Sequence, residues 1–117
     1  MKQNEYKKVV YICSKYAGDV KFNITQARRY CRFAIENGYI PFAAHLLYTQ
    51  FLNDDDEAER ALGLSFGNRL MDRCDEVWVF GEEFSVGMKS EYERALAKEY
   101  EIRFFTTDCV EVSDGNV

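Results

Sequence analysis

A single histidine, His45, among 117 residues leaves little from which to build a metal centre. Four cysteines, Cys13, Cys31, Cys74 and Cys109, show no C-x-x-C spacing and read as buried free thiols of a reducing compartment. Neither a G-x-G-x-x-G fingerprint nor a Walker loop is present, and no cofactor is expected. No apolar stretch is long enough to span a membrane. The start, Met1 to Lys8, is polar and lacks the apolar core of a signal peptide, so a cytoplasmic protein without membrane partners is expected. Positive charge is also short: 15 Lys and Arg against 20 Asp and Glu give a net charge of −5. That balance argues against nucleic acid as a partner, because affinity for a polyanion needs a basic surface. Arg28, Arg29 and Arg32 make one local basic patch, read as a solvated helix face.

What is present is the composition of one soluble domain, 47% hydrophobic and 30% charged, with 15% aromatic residues to fill a core. The whole chain reads as a single unit, with its core from about residue 8 to 106 and a frayed tail over Ser113–Val117. Lys8–Cys13 is a short β-rich run that reads as a central parallel strand. Ile24, Ala27, Cys31, Ala34 and Ile35 keep helical spacing between Val20 and Asn37, with Asp19 as N-cap and Gly38 just beyond the end. Tyr39–Ala43 predicts a second strand, and the only proline, Pro41, suggests an edge position or a bulge. After a loop containing His45, Tyr48 and Phe51, the run Asn53-Asp54-Asp55-Asp56 begins a helix reaching about Arg73. Gly63 and Gly67 on that helix permit close approach of a neighbour, inside the subunit or across a dimer. Val77–Gly81, Gly87–Glu99 and Ile102–Thr106 read as strand, helix and strand. This alternation implies an α/β fold, a Rossmann-like or flavodoxin-like three-layer sandwich on a four- to five-stranded parallel sheet.

Ligands of such sheets bind beyond the carboxyl ends of the strands, where the suspicious residues gather. On the helix after the third strand, Met88, Tyr92, Ala95 and Leu96 mark an apolar face, and Glu91 falls between them. A carboxylate there either points at the sheet or sits half solvated on the helix shoulder. Ser85-Val86-Gly87 ahead of it offers a hydroxyl and free amides at a helix N-terminus, a cradle for phosphate. Tyr11 of the first strand can hydrogen-bond that carboxylate, or be a core tyrosine bonded to backbone. Ser14, Lys15 and Gly18 in the next loop could supply hydroxyl, charge and close backbone approach to an anion.

Tyr11–Gly18 (Y-I-C-S-K-Y-A-G) and Ser85–Ala95 (S-V-G-M-K-S-E-Y-E-R-A) resemble the first strand and the S-x-G-x-x-x-E segment of the nucleoside deoxyribosyltransferase-like family. That family includes deoxynucleoside-monophosphate N-glycosidases, and small bacterial and phage members share the P-F-A-A-H-L-L type of loop found here. The resemblance covers about Val9 to Phe105. It implies Glu91 as a nucleophile on the anomeric carbon, Tyr11 as its orienting partner, and Ser14, Lys15, Gly18, Ser85 and Gly87 as sugar or phosphate contacts. His45 falls where the family often has a Glu-His pair. It also implies a homo-oligomer, a dimer or larger, since family pockets are often completed by a neighbour. Two departures stand out: Gly67 and Asn68 occupy the region of the family's proton-donating Asp, and Glu93 stands where a small residue is usual. Asp72 would point elsewhere.

The function expected is binding of a nucleotide or nucleotide-sugar, with cleavage or transfer of its N-glycosidic bond. The alternative is non-catalytic capture of a nucleotide-derived small molecule, such as an ADP-ribose-type signal.

Overall fold

The computed structural model describes residues 6–113. The chain runs β1 (Val9–Cys13), α1 (Val20–Glu36), β2 (Ile40–Phe42), α2 (Ala44–Leu47), a 3₁₀ turn (Tyr48–Gln50), α3 (Glu57–Met71), β3 (Glu76–Phe80), α4 (Val86–Ala97), β4 (Glu101–Phe105) and β5 (Glu111–Val112). The expected frayed tail beyond Ser113 lies outside the described residues. Among the described residues no helix is long and apolar enough to cross a membrane.

β1 and β3 carry apolar residues at successive positions because both of their faces are covered. They form the centre of a five-stranded sheet of order β2-β1-β3-β4-β5. The pairs β1·β2, β1·β3 and β3·β4 are parallel, with Tyr11 level with Phe42 on one side and Val77 on the other. The α/β sandwich expected from the sequence is thus present, with one difference: β5 pairs antiparallel to β4. A tight turn explains the reversal, since Thr106 N–H donates to Val110 O at 2.8 Å and Cys109 takes a left-handed φ of 64°. So short a link cannot make the crossover that a parallel neighbour requires.

Strand alternation splits the interior into two cores. Tyr11, Cys13, Val77 and Val79 face α3 and α4, packing on Met71, Met88 and Ala95. Val10, Ile12, Trp78 and Phe80 face α1, where Tyr30 stacks on Phe80 at 4.1 Å and Phe80 on Phe105 at 4.9 Å. Trp78 donates its indole N–H to Glu76 at 2.8 Å, and that buried carboxylate also meets Lys8 at 3.3 Å.

Helix ends follow local chemistry. Asp19 accepts from Phe22 N–H and caps α1, and Gly38 leaves it with φ 87°. α3 starts later than expected: Asp56 is its cap, while Asn53 accepts from Asp55 N–H in a turn outside the helix. Two positions assigned to inward faces are exposed, Ile35 on α1 and Leu96 on α4; Tyr30 fills the α1 stripe instead. Gly63 and Gly67 do permit close approach, and the neighbour is inside the subunit. A Cβ at Gly67 would lie 3.2 Å from the Cβ of Ala44 in α2, and one at Gly63 would lie 3.4 Å from Leu52.

Candidate active site

Period-two alternation turns Tyr11 toward the α4 face of the sheet, and the spacing Met88, Glu91, Ala95 turns Glu91 toward it from above. Ser85 fixes where that helix begins, its hydroxyl accepting from Met88 N–H at 3.2 Å. The two side chains meet: Tyr11 Oη donates to Glu91 Oε2. Glu91 is only 7% exposed, so the carboxyl points at the sheet and is no solvated shoulder residue. Burial pushes its pKa up to about 7, while the Tyr11 hydroxyl and the Cys13 thiol pull it down by donating to the ionised form. Burial and the neighbouring Glu91 raise both Tyr11 and Cys13 well above their usual values. Cys13 Sγ lies 3.7 Å from Met88 O, so β1 and α4 are tied at two adjacent points. Glu91 takes part in none of the ion pairs found among the described residues.

Above this pair opens a narrow cavity of about 40 Å³. α2 and the 3₁₀ turn give it Ala44, His45 and Thr49; α3 gives it Glu59, Arg60, Gly63, Gly67 and Asn68; Asp54, just ahead of α3, also lines it. Gly67 is placed so that a Cβ would come within 3.5 Å of the Tyr11 hydroxyl, which puts this turn of α3 directly over the Tyr11–Glu91 pair. Arg94 holds it there, donating to Asn68 O at 3.2 Å and to Asp72 at 2.9 Å. Asp72 is further occupied by Tyr100 and Lys98, away from the cavity. The His45 ring stacks on Tyr16 at 4.7 Å, which joins the loop after β1 to the rim. Burial lowers its pKa and Arg60 adds to this, against an opposing pull from Asp54, so the imidazole is neutral at pH 7.

The remaining sequence-predicted residues lie elsewhere. Ser14, Lys15 and Gly18 line a second, open cleft of about 900 Å³ on the α1 side, with Tyr30, Phe80 and Thr107. The loop 14–18 thus divides the two spaces, with Tyr16 facing His45 and its other members facing α1. Ser85 caps α4 and borders neither space; Gly87 is exposed, with nothing within 4 Å of where its Cβ would be. So Tyr11, His45 and Glu91 share one cavity, and the five expected anion contacts do not join them. Arg60 and Asp54 were missed by the sequence reading, which met Asn68 only as a residue in the region of the family's proton-donating Asp. The signal for Arg60 is the α3 stripe 60, 63–64, 67–68, which repeats at helical spacing. Among the described residues no group of His, Cys, Asp or Glu side chains is placed to hold a metal.

The chain belongs to a domain family described as a domain of unknown function, DUF7768, whose model matches residues 8–105. No curated protein matches it.

Proposed function

We propose that this family member binds an N-glycoside of the nucleotide or nucleotide-sugar class at the carboxyl ends of its parallel strands and cleaves or transfers the glycosidic bond. Glu91 is the nucleophile and Tyr11 its orienting partner. The observation that carries the reading is the hydrogen bond between these two buried side chains at the floor of a cavity. A lone structural glutamate gains nothing from being so placed, since burial without a cation destabilises its charge. The likeness of Tyr11–Gly18 and Ser85–Ala95 to the nucleoside deoxyribosyltransferase-like family supports the same assignment.

In the first step a Glu91 oxygen attacks the anomeric carbon through an oxocarbenium-like transition state. The C–N bond breaks, its electron pair leaves with the base, and a glycosyl ester forms. In the second step water, or a second base, attacks the same carbon and the carboxylate leaves. Tyr11 holds the carboxylate on line throughout. A pKa of about 7 leaves a substantial ionised fraction at neutral pH. Only the reacting end of a ligand fits the narrow cavity; the rest lies across the rim formed by His45 and Tyr16, toward the loop 14–18.

That narrowness favours a second reading, capture of an intact ligand at the rim. A fluorinated sugar analogue separates the two. Labelling of Glu91 in the wild type, absent in Glu91→Gln, is the expected result. Intact ligand recovered after hours from wild-type protein, with no label, selects capture.

A further inference from the structure

We propose that the heterocycle of the substrate carries a positive charge, so that the cavity takes N-glycosides of cationic bases, pyridinium ribosides being the simplest, in preference to neutral nucleosides. The inference rests on Glu91 being the nucleophile and adds the class of leaving group.

Two independent features point there. The first is the missing counter-ion. A carboxylate this deeply buried is normally paired; Glu91 accepts from Tyr11 and joins no ion pair among the described residues. Arg60, the cation of the cavity wall, stands seven helical steps from Gly67, roughly 10 Å along α3. A cationic base entering the cavity supplies the absent charge and favours the ionised, nucleophilic form. A neutral nucleoside does not. The second is the missing proton donor. A neutral base leaves as an anion and must be protonated as the bond breaks. The groups level with the Tyr11–Glu91 pair are Gly67, Ala44 and the amide of Asn68, and the imidazole beside them is neutral. Tyr11 already gives its proton to Glu91. Glu59 belongs to the other end: eight helical steps separate it from Gly67, roughly 12 Å along α3. Glu59 moreover accepts from Asn53 N–H at 2.7 Å. Asp54 acts on His45 and is not among the groups that act on Glu91.

A pyridinium riboside needs no such donor. When Glu91 attacks the anomeric carbon, the C–N electron pair returns to the ring nitrogen and cancels its charge. The products are a neutral pyridine and a glycosyl ester, and no proton moves. Water then attacks the anomeric carbon, the Glu91 carboxylate departs, and the proton of the water passes to neutral His45 or to solvent.

The test uses nicotinamide riboside and its 5′-phosphate, their reduced dihydronicotinamide counterparts, and the 5′-monophosphates of adenosine, deoxyadenosine and thymidine. The dihydro forms keep the outline and lose the charge. Binding by calorimetry should favour the charged member of each pair by about tenfold or more, and Glu91→Gln should erase the preference. Equal binding of the pair overturns the inference whether or not hydrolysis is seen. In turnover, pyridine release should exceed release of neutral bases by roughly 100-fold. Comparable release of neutral bases overturns the inference while leaving Glu91 as a glycosidase nucleophile. No release from any compound, together with no labelling of Glu91, overturns the catalytic reading itself, and the binding comparison still decides the charge preference. Asn68→Asp, which changes shape little, should gain release of neutral bases; no gain removes the argument from the missing donor.

Discussion

Glu91 holds a proton that the unfolded chain would release, and this makes one side chain visible in the stability of the whole protein. Its pKa rises from 4.5 to about 7 on folding, because burial outweighs the hydrogen bonds from Tyr11 and Cys13. Below pH 4.5 both states are protonated and the residue contributes nothing. Between pH 4.5 and 7 the native state binds more protons, so stability falls as pH rises, by about 3 kcal/mol in all. Glu91→Gln keeps the acceptor for Tyr11 and removes this loss. Urea titrations should therefore show the variant gaining on the wild type from pH 5 to pH 8; a constant difference across that range contradicts the assignment. Tyr11→Phe removes a donor to the ionised form, so it should raise the Glu91 pKa further, as read from the carboxyl carbon shift in NMR. Both residues were legible in the sequence, because period two on a strand and spacing of three to four on a helix place each side chain without knowledge of the fold. Arg60 and Asp54 were not, because they reach the cavity only through the path of α3, and of the turn before it, across the sheet.

α3 is the element on which the cavity depends, and its two glycines differ in what they face. At Gly67 an added Cβ would meet the Cβ of Ala44 at 3.2 Å, an atom fixed to the backbone of α2, with the Tyr11 hydroxyl at 3.5 Å. At Gly63 the nearest atom is the mobile end of Leu52, 3.4 Å away. Both substitutions to alanine gain helix propensity, but only the first forces two helices apart. Gly67→Ala should be less stable than Gly63→Ala by about 1–2 kcal/mol and should narrow the cavity as well. Equal midpoints in thermal unfolding would remove the case for close packing here. Gly87 offers a third comparison: with open space around it and no positive φ, Gly87→Ala should stabilise α4 by about 0.5–1 kcal/mol. A concurrent loss of ligand affinity would then report contact with the backbone at that turn. Most elements could be read in advance because the Asp19 cap and the glycine after α1 punctuate the chain and the apolar residues keep a clear period. α2 with its 3₁₀ turn, and β5, could not: segments of two to four residues carry no period, and tertiary contacts alone define them.

At the scale of the molecule, one strand carries both cores. Val77 and Val79 of β3 belong to the α3–α4 side, Trp78 and Phe80 to the α1 side, and all four are nearly inaccessible. The two helical layers therefore share a backbone that cannot lose one face and keep the other. The expected homo-oligomer has less support than the sequence lent it, since Gly63 and Gly67 are already used inside the subunit. Leu62 and Phe66 of α3 are exposed; sedimentation of the wild type beside Phe66→Lys measures whether they meet a second copy. Cooperativity is tested on the other face. Phe80 lies between the rings of Tyr30 and Phe105, so Phe80→Ala removes a buried aromatic and should cost about 3–5 kcal/mol. Trp78, the only tryptophan, reports the α1 side by fluorescence, while far-ultraviolet dichroism reports all the helices together. With β3 shared, both probes should shift to lower urea by the same amount, with the slope of the transition unchanged. A fluorescence transition that moves ahead of the dichroism would mean that the α1 layer comes away alone, leaving the Tyr11–Glu91 side folded beneath α3 and α4.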